Sequence, residues 1–205
     1  GIEKPAAIIL ETVQAEGGIH VFSKEFLKGI RDICDKYDIL MICDDIQVGC
    51  GRTGTFFSFE RAEIIPDIVT MSKSIGGYGI PMAITLFKPE LDIWSPGEHN
   101  GTFRGVQLSL VAAKAGLEIM LKDKVEEQVQ RKENIVRKFL EKEVEPLLGD
   151  NQEIRGIGLI FGIEFGDGKL ARKVLDKCFE KNLIIELAGR DDSVVKIMPS
   201  LVIED

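Results

Sequence analysis

Lys73 and Asp44 are the two side chains whose type and placement could do chemistry. Each follows a short apolar run. Ile39-Leu-Met-Ile-Cys43 leads into Asp44-Asp-Ile-Gln47, and Ile68-Val-Thr-Met71 leads into Ser72-Lys73-Ser74. Short, β-branched runs bounded by turn residues read as buried parallel strands. In an open α/β sheet, ligands collect beyond the carboxyl ends of the strands, so both residues are expected at one rim. A lysine amine there forms an imine with an aldehyde. An aspartate there keeps a pyridine nitrogen protonated, so the pair suits an aldehyde cofactor built on a pyridine ring. Two positions beyond Asp44, Ile46 points the same way along an extended chain. It reads equally as a residue packed on the cofactor ring or as an ordinary core isoleucine.

An isolated aspartate and lysine after two strands would read as a turn cap and a solvated side chain. The surrounding residues change that reading. Asp44-Asp-Ile-Gln-Val-Gly-Cys-Gly-Arg-Thr-Gly54 runs through a glycine-rich turn into Phe56-Phe-Ser-Phe59, and Pro66-Asp-Ile-Val-Thr-Met-Ser-Lys73 precedes Ser-Ile-Gly-Gly-Tyr-Gly-Ile-Pro-Met82. These stretches, at this spacing, resemble the class III (ω-amino acid) aminotransferases, and long motifs at matched spacing are specific signals. The resemblance covers essentially the whole chain. It implies the fold-type I α/β architecture, pyridoxal 5'-phosphate as cofactor, amino acids and oxo acids as small-molecule substrates, and a homodimer or higher homo-oligomer.

The same resemblance assigns roles. Lys73 is the lysine that binds the cofactor covalently, Asp44 the partner of its ring nitrogen, and Gln47 the donor to its ring hydroxyl. Asp45 replaces the family's usual Glu. Glu98-His-Asn-Gly-Thr-Phe-Arg-Gly105 is similar to the segment whose threonine, here Thr102, serves the cofactor phosphate of the other subunit. His99 reads as a loop residue, and Arg104 as paired with an acid or solvated. Glu11-Thr-Val-Gln-Ala-Glu-Gly-Gly18 is similar to a stretch whose second acid, here Glu16, faces an arginine that grips the substrate carboxylate. The matching position here is Lys196, which lacks the planar two-pronged fork of arginine. Arg190 is a second candidate for that grip, beside Asp191 and Asp192.

Positioning these residues requires an ordered core, and 205 residues with 44% hydrophobic content can supply one. The net charge of −8 argues against nucleic acid or an anionic membrane as the main partner. No apolar run is long enough to cross a bilayer. Cys34, Cys43, Cys50 and Cys178 show no paired spacing, and there are two histidines, so neither a metal site nor a disulfide framework is expected. The apolar settings of three of the cysteines suit a reducing cytoplasm. Pro5-Ala-Ala-Ile-Ile-Leu10 opens almost at once with an interior-type strand, as in the second half of a longer protein.

A helix is predicted from the Ser23 cap, with Phe26, Leu27, Ile30, Ile33, Cys34 and Tyr37 on one face. Residues Gln107 to about Val144 read as helical, apolar to Leu121 and then charged. The expected division is therefore 1–122, the C-terminal half of a cofactor-binding domain with a mainly parallel sheet, and 123–205, a small α+β domain. In the latter, strands are expected over Ile154–Phe165, Leu183–Glu186 and Val194–Met198, and a helix over Leu170–Lys181. The long loop from Lys88 to Arg104 reads as functional. An intact Asp44, Gln47 and Lys73 argue against a non-catalytic relative that serves only as a binding partner.

Overall fold

A computed structural model describes residues 3–77 and 79–204; the first two residues, Asp205 and Tyr78, the last quoted in the motif above, lie outside it. In chain order the elements are β1 (Ala7–Leu10), β2 (Val13–Gln14), β3 (His20–Val21), α1 (Lys24–Tyr37), β4 (Leu40–Asp44), β5 (Ile68–Met71) and β6 (Ile84–Phe87). They are followed by α2 (Gln107–Lys122), α3 (Val125–Phe139), β7 (Glu153–Ile157), β8 (Ile160–Glu164), α4 (Gly168–Glu180), β9 (Glu186–Ala188) and β10 (Val194–Ile197). The chain packs as two units. The first comprises the residues up to Thr12, Ser23–Cys50 and Phe59–Lys124; the second comprises Val13–Phe22, Gly51–Ser58 and Val125 onward. The sequence reading places one cut after Lys122, whereas the packing also groups two earlier segments with the later unit.

The first unit is built on a sheet of order β1-β4-β5-β6. β1, β4 and β5 run parallel, and β6 returns antiparallel, because its connection from β5 holds no crossover helix. Helix α1 starts as the sequence predicts, with the Phe26 amide donating to Ser23 Oγ at 3.1 Å. Its buried face differs from the expected one. Leu27 and Cys34 are buried, while Phe26, Ile33 and Tyr37 are each about half exposed. The helix is rotated toward Arg31, on the same side as Leu27 and Cys34, because Arg31 has a charged partner to reach. Its Nη1 donates to Asp67 Oδ2 at 2.8 Å.

Asp67, one residue before β5, ties the unit together. Its carboxylate also accepts the Met41 amide at 2.7 Å and pairs with Lys88 Nζ at 2.6 Å. Its own amide donates to the Met41 carbonyl at 2.8 Å. Burial alone would raise the carboxyl pKa, but the bonds from Lys88, Met41 and Arg31 outweigh it and hold the group at about 2, against an ordinary 3.8.

Helix α2 presses closely on the turn that follows β5. At Gly77 the backbone has φ 66° and ψ −128°, a region that side chains rarely enter. A Cβ there would lie 2.6 Å from the Ala112 carbonyl oxygen of α2. The contact therefore needs hydrogen at Gly77.

The second unit carries the antiparallel sheet β7-β8-β10-β9. Phe161, Ile163 and Val195 pack with Leu140 and with Ala171 of α4 to form its core. A strand over Leu183–Glu186 is not what forms. The Leu183 amide donates to the Cys178 carbonyl and Asn182 adopts φ 62°, closing the end of α4, so pairing begins only at Glu186. The small β2–β3 hairpin docks on this sheet: Gly189 donates to the Glu16 carbonyl at 2.9 Å, and Arg155 Nε donates to the Gly18 carbonyl at 2.7 Å. Among the described residues, no helix is long and apolar enough to cross a membrane.

Two outcomes are expected from this packing. Asp67→Asn should lower stability in denaturant unfolding at pH 7 by about 2 kcal/mol, the linkage value of the Asp67 shift. Because the folded pKa is depressed, that contribution is present above pH 3.8 and fades as the pH falls toward 2. Variant and parent should therefore converge in acid. Gly77→Ala should cost about 3 kcal/mol or more through strain and collision. Gly79→Ala, with open space around its Cβ position, should cost about 1 kcal/mol. Thermal unfolding distinguishes the two.

Candidate active site

In the first unit, the parallel register sets Asp44 beside Thr70, and the Asp45 amide donates to the Thr70 carbonyl at 2.9 Å. Lys73 follows three residues after Thr70. Asp44 and Lys73 thus stand at the carboxyl ends of adjacent parallel strands, as the sequence predicts. The half-buried Asp44 accepts the Ile46 amide on Oδ1 at 3.0 Å. Among the described residues, its second oxygen has no hydrogen-bond partner. Lys73 opens a short helical turn, Lys73–Gly76, in the left-handed conformation with φ 51°. A non-glycine residue pays for that conformation and keeps it where the surroundings impose it. The turn is held by Ser72 Oγ donating to the Met82 carbonyl at 2.7 Å. The Lys73 side chain is exposed, and among the described residues its amine has neither an ion pair nor a hydrogen bond.

Thr70 Oγ1 is buried without a hydrogen-bond partner, on the residue paired with Asp44. A free amine, an aspartate oxygen open to a donor, and an orphaned hydroxyl within one strand-end cluster fit a polar aromatic group held there. Nothing in the motif singles out Thr70. Its position in the strand register reveals it.

Ile46 does not follow the extended path assumed for it. The strand ends at Asp44, and residues 46–50 form a turn that starts with the Ile46 amide folding back onto Asp44. Gln47 lies half-buried on that turn, and Asp45 is buried. Thr102 is exposed on the wall of a cleft of about 670 Å³ formed by residues 81–84, 101–106, Ser109 and Leu110. In the same loop, His99 stacks on Trp94 at 5.0 Å. Among the described residues, Arg104 has no acidic partner. It donates to the His99 carbonyl at 2.6 Å and approaches His99 Nε2 at 2.7 Å.

In the second unit, Lys196 Nζ lies 2.6 Å from Glu16 and 2.9 Å from Glu186. Burial of Lys196 lowers its pKa, but the two carboxylates outweigh that and raise it. The sequence reading found Glu16 and missed Glu186, which meets Lys196 only through the β9–β10 register. Arg190 is exposed in a short turn beside Asp191 and Asp192, and Asp192 pairs with Arg172 at 3.2 Å. Arg52, from the glycine-rich motif, is buried. It donates to the carbonyls of Leu159 at 2.9 Å and Pro199 at 2.6 Å. Desolvation lowers its pKa to about 10. Its bonds make it a brace of the second unit.

Comparison with known proteins gives these positions a context. The diaminobutyrate–2-oxoglutarate transaminase of Streptomyces coelicolor is 53% identical over 99% of this chain and 48% of its own length. That of Sporosarcina pasteurii is 53% identical over 100% of this chain and 49% of its own. The chain thus spans about half the length of these relatives. Among solved structures, a Bacillus anthracis aminotransferase superposes with a TM-score of 0.89 at 30% identity, covering 98% of this chain and 49% of that one. The ornithine aminotransferase of Toxoplasma gondii gives a TM-score of 0.91 at 29% identity, covering 98% and 47%. These likenesses give the chain the α/β fold of fold-type I aminotransferases. The family profile described as aminotransferase class-III matches residues 2–205, so the chain belongs to the class III aminotransferases.

Proposed function

We propose that the protein moves an ω-amino group between L-2,4-diaminobutyrate and 2-oxoglutarate, with pyridoxal 5'-phosphate as cofactor. The observation that carries this reading is the free Lys73 amine, held in a strained backbone conformation at the sheet edge it shares with Asp44. Relatives that are 53% identical carry that activity in their names, whereas the ornithine aminotransferase likeness stands at 29%, which favours diaminobutyrate over ornithine. On this reading the first unit is the C-terminal half of the cofactor-binding domain and the second is the small C-terminal domain. The protein works as a homodimer or larger assembly in the cytoplasm, in ectoine biosynthesis. Leu108, Val111 and Leu121 are strongly exposed on α2, which supports self-association.

The bound cofactor supplies an electron sink at the carbon from which the proton leaves. Lys73 would hold its aldehyde. The Lys73 amine, positioned by its turn, would also be the base that moves the proton. Asp44 would keep the ring nitrogen protonated, because a carboxylate beside it favours the charged form. Gln47 would hold the ring hydroxyl and Thr102 the phosphate of the partner subunit's cofactor, while the extended path that pointed Ile46 toward the ring does not form. Lys196 and Glu16 form the substrate-carboxylate site, with lysine acting as a point charge where arginine would bind through two prongs.

Borohydride reduction of the loaded protein followed by peptide mapping should place the pyridoxyl label on Lys73 alone. Label on another lysine would remove the central assignment. Asp44→Asn should lower turnover by about 100-fold or more while some cofactor stays bound, since the amide cannot hold the ring nitrogen protonated. Steady-state rates and cofactor absorbance measure both effects. Near-normal turnover would make Asp44 structural.

A further inference from the structure

Lys196 is shared between two acids that reach it by separate routes. Glu186 is its cross-strand partner on β9, fixed by the antiparallel register. Glu16 comes from the β2–β3 turn. The Lys196 side chain is only 3% exposed, whereas both glutamate side chains are 65% exposed. The ammonium therefore lies beneath two solvent-facing carboxylates. One positive and two negative charges leave the cluster one charge to the negative side.

A substrate carboxylate that reaches Lys196 must take the place of one of these acids and then lie beside the other. Glu16 sits on an exposed turn, while Glu186 opens strand β9 directly opposite Lys196, with the next residue, Leu187, paired to Val195. We propose that Glu186 is a specificity-determining residue. It remains on Lys196 when an oxo-acid carboxylate binds, and its like charge weakens the hold on 2-oxoglutarate. The inference rests on Lys196 being the carboxylate site proposed above.

The test compares Glu186→Gln, Lys196→Met and Lys196→Arg in the whole protein loaded with cofactor. KM is measured for 2-oxoglutarate and for L-2,4-diaminobutyrate, and 2-oxoglutarate binding is measured directly by calorimetry. Glu186→Gln retains the shape of an exposed side chain, so its fold should be preserved. It should tighten 2-oxoglutarate by about threefold, the scale of one exposed charge pair. The KM for the diamino acid should stay within about twofold on the same scale, and the gain should shrink as salt is added. Lys196→Met should weaken 2-oxoglutarate, and Lys196→Arg should restore it. If Lys196→Met weakens 2-oxoglutarate but Glu186→Gln fails to tighten it, the role of Glu186 is overturned and the Lys196 site stands. If Lys196→Met leaves 2-oxoglutarate binding unchanged, the site assignment falls and the role of Glu186 falls with it.

Discussion

The reciprocal bonding of Asp67 with the Met41 backbone governs the geometry of the first unit. The Asp67 amide donates to the Met41 carbonyl while its carboxylate accepts the Met41 amide. Two short bonds between one residue and one peptide position set β4 against β5 at the start of their pairing. The strands are parallel, so the register set there carries unchanged to their carboxyl ends, where Asp44 meets Thr70. A slip of one residue would turn Asp44 to the opposite face of the sheet. Arg31 and Lys88 keep the Asp67 carboxylate charged within a largely buried setting. A buried carboxylate is tolerable only when its charge is paired in this way. The charge network on one side of the sheet thus keeps in place the candidate chemistry at the carboxyl edge.

Glycines then decide how closely other segments approach. Gly77 lets α2 lie against the turn that carries Lys73, and that turn keeps Lys73 in a conformation an unrestrained lysine would leave. In the second unit, Gly162 gives room to Ile19, and Gly18 gives room to Val194. Those approaches bring the β2–β3 hairpin onto the sheet and carry Glu16 to Lys196. In both units, a missing side chain at one residue sets the position of a charged side chain at another. A methyl group at such a place would displace a functional atom rather than merely loosen the packing.

A lysine where the class III resemblance implies an arginine changes the electrostatics of its surroundings. Arginine presents several fixed donors to a carboxylate, whereas lysine offers a compact charge on a flexible stem. Here the compact charge is met from two sides by Glu16 and Glu186, and the stem is buried beneath them. The carboxylates offset the desolvation of the ammonium and hold the stem in one place. They also compete with any other anion for the same three hydrogens.

The sequence alone determined the rim. Apolar runs ending at Cys43 and Met71 made Asp44 and Lys73 strand-end residues, and parallel strands bring such ends together whatever packs around them. It determined the Ser23 cap, because a cap depends on neighbours in the chain. It also marked Glu16 and Lys196 through resemblance to related proteins. Tertiary structure decided what depends on distant partners. Arg31 has to reach Asp67, so α1 is rotated and Phe26, Ile33 and Tyr37 are left facing outward, although periodicity alone places them with Leu27 and Cys34. Ile46 leaves the extended path because Asp44 captures its amide, and Leu183 is drawn into the end of α4 before the strand begins. Thr70 and Glu186 acquire meaning only from register, which sets residues side by side that the chain separates by 26 and ten positions. Local preference and periodicity act over a few residues, whereas charge pairing and strand register act across the fold, and that difference in range separates the two groups.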